Sequence, residues 1–64
     1  MAQIERRIVA SGIIGQYCHE WAVMQLHDVK YDTECYDLYI NKEYIGSRDS
    51  IVEALSLLVE QFEE

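Results

Sequence analysis

Residues 50–62 read SIVEALSLLVEQF, and this stretch decides the fold together with the segment just before it. Ser50 followed three residues later by Glu53 fits a capping box, in which the hydroxyl and the carboxylate satisfy free backbone N–H groups at the start of a helix. Asp49 adds a negative charge at the positive end of the helix dipole. The pattern predicts a helix over about residues 50–62.

The predicted helix is amphipathic. Six apolar residues recur at helical spacing on one stripe, which we expect to face the rest of the protein: Ile51, Val52, Leu55, Leu58, Val59 and Phe62. Leu57 falls outside this stripe, on the side that carries Glu53, Glu60 and Glu64. Leu57 is then either an isolated exposed leucine or an apolar anchor within an acidic rim, which is the anatomy of a protein interface.

Residues 34–46 precede the helix and read ECYDLYINKEYIG. Tyrosines and β-branched residues flank Asn41 and Lys42, a pattern that predicts a β-hairpin with a two-residue turn. That turn places Tyr39 and Tyr44 side by side on one face of the hairpin.

Two further strands are predicted before the hairpin. Residues 4–10 alternate in hydrophobicity, and Ser11 with Gly12 marks a turn or bulge after them. Residues 16–29 fit either a helix or a strand. The strand is favoured, because a continued helix would bring Gln25 and Asp28 into its apolar stripe.

The fold class predicted from these segments is α+β. We expect a small antiparallel sheet of three to four strands with one C-terminal amphipathic helix packed on one face, in a single small domain spanning residues 1–64. A chain of 64 residues supports only a small core, because ordering costs about 1.5 kcal/mol per residue and nearly cancels the gain from burial. Domains of this size often gain stability from a second subunit.

One helix covers only one face of a sheet. We expect the covered face to contain seven apolar residues: Ile8, Ala22, Met24, Leu26, Leu38, Ile40 and Ile45. The opposite face then carries Trp21, Val23, Tyr39 and Tyr44, with His27 and Cys35 nearby. An apolar, aromatic sheet face open to water indicates an interface, since Trp and Tyr are common interface anchors. The alternative is that some of these rings lie flat on the sheet, half exposed, with their polar tips in water.

Charge limits the partners. Twelve acidic and five basic residues give a net charge of −7, which argues against direct binding of nucleic acid and favours a protein partner with a basic surface. No apolar run is long enough to span a membrane or to form a secretory leader, so we expect a cytoplasmic protein, in a host cytoplasm if the chain comes from a phage, with reduced thiols.

The sequence offers no catalytic, cofactor or metal motif. Cys18, His19, His27 and Cys35 lack the ligand spacing of a zinc site, and the glycines form no phosphate-binding pattern. The chain is also too short for a deep catalytic cleft. We therefore expect a protein that is not an enzyme and binds no cofactor.

In size and charge the chain resembles the small acidic proteins of phages and mobile elements, many of which are stoichiometric inhibitors of host enzymes. The likeness implies an inhibitor or regulator of a basic enzyme that handles nucleic acid; the alternative is a homodimeric accessory or assembly protein. The predicted partner-binding residues are five anchors and two acids: Trp21, Val23, Tyr39, Tyr44, Leu57, Glu53 and Glu60.

Overall fold

Four strands lie side by side in chain order, and a helix follows them. The computed structural model describes residues 3–63. The elements are β1 (Ile4–Ile14), β2 (His19–Asp28), β3 (Thr33–Ile40), β4 (Glu43–Arg48) and α1 (Ile51–Glu60). All neighbouring strands are antiparallel, and α1 packs against the sheet. The predicted α+β class is confirmed, and the ambiguous segment 16–29 forms a strand.

Short connections hold the strands in register. Asn41 and Lys42 form the two-residue turn between β3 and β4, with φ angles of 52° and 69°. Two left-handed residues in succession are the geometry of a type I′ turn, whose twist matches that of a hairpin. Tyr39 lies opposite Tyr44, as predicted. In the connection between β2 and β3, Asp28 Oδ1 accepts the N–H groups of Lys30 and Tyr31, at 3.0 and 3.4 Å.

Strand β1 is longer than the sequence indicated. Ser11 and Gly12 continue the strand to Ile14 instead of ending it. The irregularity lies earlier, at Val9, where the register with β2 shifts between Ile8 and Ala10. Such a bulge opposes two residues of one strand to one of the other. Val9 and Ala10 consequently both pack against the core.

The core is small and lies between α1 and one half of the sheet. Its buried members come from β2, β3 and the helix: Val23, Leu38, Ile40, Ala54, Leu57 and Leu58. The helix begins near Val9 and Tyr36, and Phe62 just beyond it packs on His19, with ring centroids 5.3 Å apart. A ten-residue helix is about 15 Å long, whereas the eleven residues of β1 extend over about 36 Å. Half of the sheet therefore lies beyond the helix.

The helix begins where the sequence predicts. Ser50 is its N-cap, and its side-chain oxygen accepts the Glu53 N–H at 3.2 Å. The predicted inward stripe is wrong in part: Val52 is 72% exposed and Val59 is also exposed, whereas Leu57 is only 8% exposed. Glu53 and Glu60 are exposed, and Glu64 lies outside the described residues.

The reason for this rotation lies in two small residues. Ala54 is fully buried, so the helix backbone can approach the sheet closely at that point. Leu57 points onto Gly46 of β4, where a Cβ atom would lie 3.0 Å from Leu57 Cδ2. Because Gly46 has no side chain, the sheet leaves room for Leu57. The stripe centred on Ala54 and Leu57 is therefore selected over the stripe centred on Val52 and Val59.

This packing predicts very different losses of stability for two truncations on one helix. Leu57→Ala removes a buried side chain and should lower the free energy of unfolding by about 2–4 kcal/mol. Val52→Ala, at a site 72% exposed, should change it by no more than about 0.5 kcal/mol. Urea denaturation of both variants measures the difference, and a larger loss for Val52→Ala would contradict the observed stripe.

The β3–β4 turn gives a second prediction. Lys42 holds a left-handed φ that glycine adopts without steric cost, so Lys42→Gly should raise the free energy of unfolding by about 0.5–1 kcal/mol. Asn41→Gly is the control, because the Asn41 side chain accepts the Glu20 N–H at 3.1 Å and donates to His19 Nδ1 at 2.8 Å. That variant should lose stability. Thermal melts of both variants measure the difference. A lower melting temperature for Lys42→Gly than for Asn41→Gly would contradict the turn geometry described above.

Candidate interaction surface

The sheet has one face that α1 does not touch. Paired residues of neighbouring strands share a face, so the buried pair Val23 and Leu38 defines the helix side. The opposite side, here called the open face, includes the pair Tyr39–Tyr44 and the pair Ile8–Met24. This face runs the whole length of the sheet.

The open face is largely apolar. Ile13 is 66% exposed, Ile8 59% and Tyr44 55%. Half-buried side chains fill the space between them, among them Met24 and Leu26. The apolar residues of the open face come from all four strands: Ile4, Ile8, Ile13, Ala22, Met24, Leu26, Cys35, Tyr39 and Tyr44. A patch of this extent on a small protein is typical of an interaction site.

The open face contains a shallow depression near the β1–β2 turn. Its volume is about 580 Å³, and Met24 and Ala22 form part of its lining. Tyr39 borders it and contacts Tyr44 edge to face, with ring centroids 5.8 Å apart. Lys42 stands at its rim. The depression can accept an apolar side chain, and a Lys and two phenol groups lie near it.

Of the four anchors predicted on the strands, two lie on the open face and two lie on the helix side. Tyr39 and Tyr44 lie on the open face, as predicted. Val23 was predicted there and is instead fully buried beneath the helix. Trp21 shares the side of Val23, packs against the core, and lies over Gly12, where a Cβ would be 3.0 Å from the indole Nε1. Trp21 is also among the residues that border the depression.

The prediction of which residues lie beneath the helix is therefore wrong for four of them. Ile8, Ala22, Met24 and Leu26 were expected beneath the helix and lie on the open face. The physical reason is that β2 is apolar on both sides, so alternation alone does not say which side the helix covers. Leu38 and Ile40 are beneath the helix as expected.

The fifth predicted anchor, Leu57, is buried and does not form an exposed apolar point among acids. Val52 and Val59 occupy that position on the outer side of α1, next to Glu60 and Glu63. Glu53 and Glu60 thus lie on the opposite side of the molecule from Tyr39 and Tyr44. The structure does not bring the predicted acids and aromatic anchors together into one site.

Other acids take their place beside the open face. Glu20 pairs with Ile13, Asp28 with Ile4 and Asp37 with Met24. Arg6 is opposite Leu26 on the same face. The open face is therefore apolar at its centre and acidic in balance.

The half of the sheet that lies beyond the N-terminal end of α1 is polar on the helix side. Arg7 Nε donates to Gln25 Oε1 at 3.2 Å, and Gln25 Nε2 donates to Glu34 Oε2 at 2.9 Å. His27 Nε2 lies 3.0 Å from Asp32 Oδ1 and its Nδ1 lies 3.4 Å from Glu5 Oε1. These cross-strand bonds explain why this half of the sheet needs no cover.

The Asp32 carboxylate, and after it that of Glu5, raises the pKa of His27 above its ordinary value of 6.5 through hydrogen bonds to the imidazolium. Glu34 adds a smaller attraction from β3. A raised folded-state pKa means that the protonated ring stabilises the fold. This stabilisation is complete below pH about 6.5 and is lost as the pH rises through the folded-state pKa.

The His27 bridge predicts a pH-dependent melting temperature. The difference in Tm between wild type and His27→Gln should be largest near pH about 6 and should shrink as the pH rises through the folded-state pKa of His27, because the ring then loses its charge. Asp32→Asn, which removes the main partner, should flatten the same dependence. Differential scanning fluorimetry across this range would contradict the assignment if the difference grew with pH.

Within residues 3–63, no group of three or more His, Cys, Asp or Glu side chains is placed to hold a metal ion. No helix in the described part of the chain is long and apolar enough to cross a membrane. The sequence matches no family model, and neither a curated protein nor a solved structure shows significant similarity to it.

Proposed function

We propose that this chain is a small acidic protein-interaction module that binds a protein with a basic surface through its open face. The observation that carries the proposal is the apolar sheet face with Ile8, Ile13 and Tyr44 more than half exposed. Exposed apolar area of this kind costs free energy in water, and a partner that covers it recovers that free energy.

The dimensions of the face suit a protein partner. The two longer extents of the molecule are 42 and 17 Å. A rectangle of that size covers roughly 700 Å², close to the ~800 Å² that each partner contributes to a standard interface. A small molecule would fill only the depression of about 580 Å³.

Charge selects the kind of partner. The net charge is −7, and Glu20, Asp28 and Asp37 lie beside the apolar centre. Complementary charge speeds docking and favours a basic partner over an acidic one. A channel or groove that binds nucleic acid is such a basic surface. The role that follows is that of a stoichiometric inhibitor or regulator of a nucleic-acid-handling enzyme, acting in the cytoplasm.

The test is direct binding to purified nucleases, polymerases and DNA-binding subunits immobilised as a panel. We expect a one-to-one complex with at least one basic member and inhibition at equal concentrations. Ile8→Lys, in the middle of the open face, should weaken this complex by about 2 kcal/mol, or roughly thirtyfold in Kd. The association rate should fall at least about tenfold between about 50 mM and about 0.5 M salt.

Val52→Lys is the matched control, since it makes the same kind of change at an exposed apolar residue on the helix. It should leave Kd unchanged. If Ile8→Lys bound as tightly as wild type, the open face would not be the binding surface. If the association rate did not respond to salt, charge attraction would not contribute to binding. Binding to no basic member of the panel would reject the proposed partner class.

A further inference from the structure

The outer edge of β1 is unpaired: no strand within residues 3–63 lies beside it. The Glu20 carbonyl accepts the Asn41 N–H of the β3–β4 turn. Successive residues of a strand direct their backbone N–H and C=O groups to opposite sides. The even-numbered residues of β2 therefore bond to β3, and the odd-numbered residues bond to β1. Because Trp21 pairs with Gly12, the backbone groups of the flanking residues Ser11 and Ile13 point away from the sheet. They are available to another strand.

The second half of this edge lacks the features that normally prevent strand pairing. Edge strands are protected by charges, prolines, bulges or short length. In β1 the charges of residues 5–7 and the bulge at Val9 protect the first half. Residues 10–14 read ASGII, carry no charge and form regular strand. The other edge strand, β4, has only six residues and a charge at each end.

Charge also marks β1 as the place where two acidic molecules can approach. Residues 1–19 contain Glu5, Arg6 and Arg7 as their charged side chains, a net charge of +1. The net charge of −7 therefore comes entirely from the remaining residues, which sum to −8. Self-repulsion is thus weakest along β1.

We propose that two copies of this chain pair antiparallel through residues 10–14 of β1, about a two-fold axis at Gly12. The regular segment lies between the bulge at Val9 and the turn that starts at Gly15, and Gly12 is its midpoint. About that axis Ser11 of one copy pairs with Ile13 of the other, and both have outward backbone groups. The interface is isologous, as in most homodimers.

The pairing doubles the surface that the proposed function uses. A two-fold axis perpendicular to the sheet joins the two four-stranded sheets and keeps both open faces on the same side. Edge pairing is independent of the proposed function, since the edge pairs by backbone hydrogen bonds and the open face binds by its side chains. Trp21, which lies over Gly12, is then close to the axis on the helix side.

Ser11→Pro tests the edge. Proline removes the outward N–H at Ser11 and leaves the bonds from Gly12 to β2 in place. Ser47→Pro is the matched control: Ser47 lies opposite Asp37, whose backbone bonds to β2, so the Ser47 N–H points outward from β4. Both serines are on the open face. We expect wild type and Ser47→Pro to have twice the 7.5 kDa mass of one chain in sedimentation equilibrium, and Ser11→Pro to have the single mass.

Circular dichroism checks that each variant is folded. If Ser11→Pro unfolds, Ser11→Glu replaces it, because this exposed site tolerates a charge that edge pairing does not. A wild-type chain that stays at 7.5 kDa at every concentration would overturn the proposal. So would a dimer that both Ser11→Pro and Ser11→Glu leave intact, since association would then use another surface. Neither outcome bears on the binding of Ile8→Lys to the panel.

Discussion

The length of α1 relative to the strands is the constraint on which the rest of the molecule depends. A helix of ten residues covers half of one side of a sheet whose first strand has eleven. The seating of Leu57 against Gly46 fixes which half is covered. Within residues 3–63 the sheet then presents four uncovered regions: the polar half beyond the helix, the open face and the outer edges of β1 and β4. The half beyond the helix is polar, the open face is apolar at its centre, and the β1 edge is uncharged over residues 10–14.

The polar half beyond the helix is stable in water because its side chains bond to one another across strands. Gln25 links Arg7 on β1 to Glu34 on β3, and His27 links Glu5 to Asp32. Among residues 3–63, no comparable network of side-chain hydrogen bonds joins the apolar centre of the open face. This contrast between the two uncovered surfaces supports the proposal that the open face binds a partner.

The sequence predicted the elements better than their rotation. The capping box at Ser50 and the turn at Asn41 and Lys42 are local signals, and local signals located the helix and the hairpin. The covered side of β2 was not predictable, because Val23 and Met24 are both apolar and alternation treats them alike. Only the tertiary fit of the helix decides between them.

The same limit applies to the candidate site. Tyr39 and Tyr44 were placed correctly because a two-residue turn fixes their pairing. Val23 and Leu57 were misplaced because the decisive partners, Leu38 and Gly46, are distant in the chain. Ile8, Met24 and Leu26 were missed for the same reason. Local alternation pointed the wrong way for them, because the polar residues Arg7, Gln25 and His27 lie on the opposite side of the sheet and favour burial of the apolar side.

The strand order has a consequence for folding kinetics. Every strand pairs with its neighbour in the sequence, through connections of two to four residues. Each hairpin closes a short loop, so the entropy of closure is small and the sheet can grow outward from any turn. Sequence-local pairing of this kind is associated with fast folding among β-rich domains. The helix is last in the chain and packs chiefly against β3 and β4, the two strands nearest to it in sequence. The C-terminal half can therefore assemble its share of the core before β1 joins the sheet.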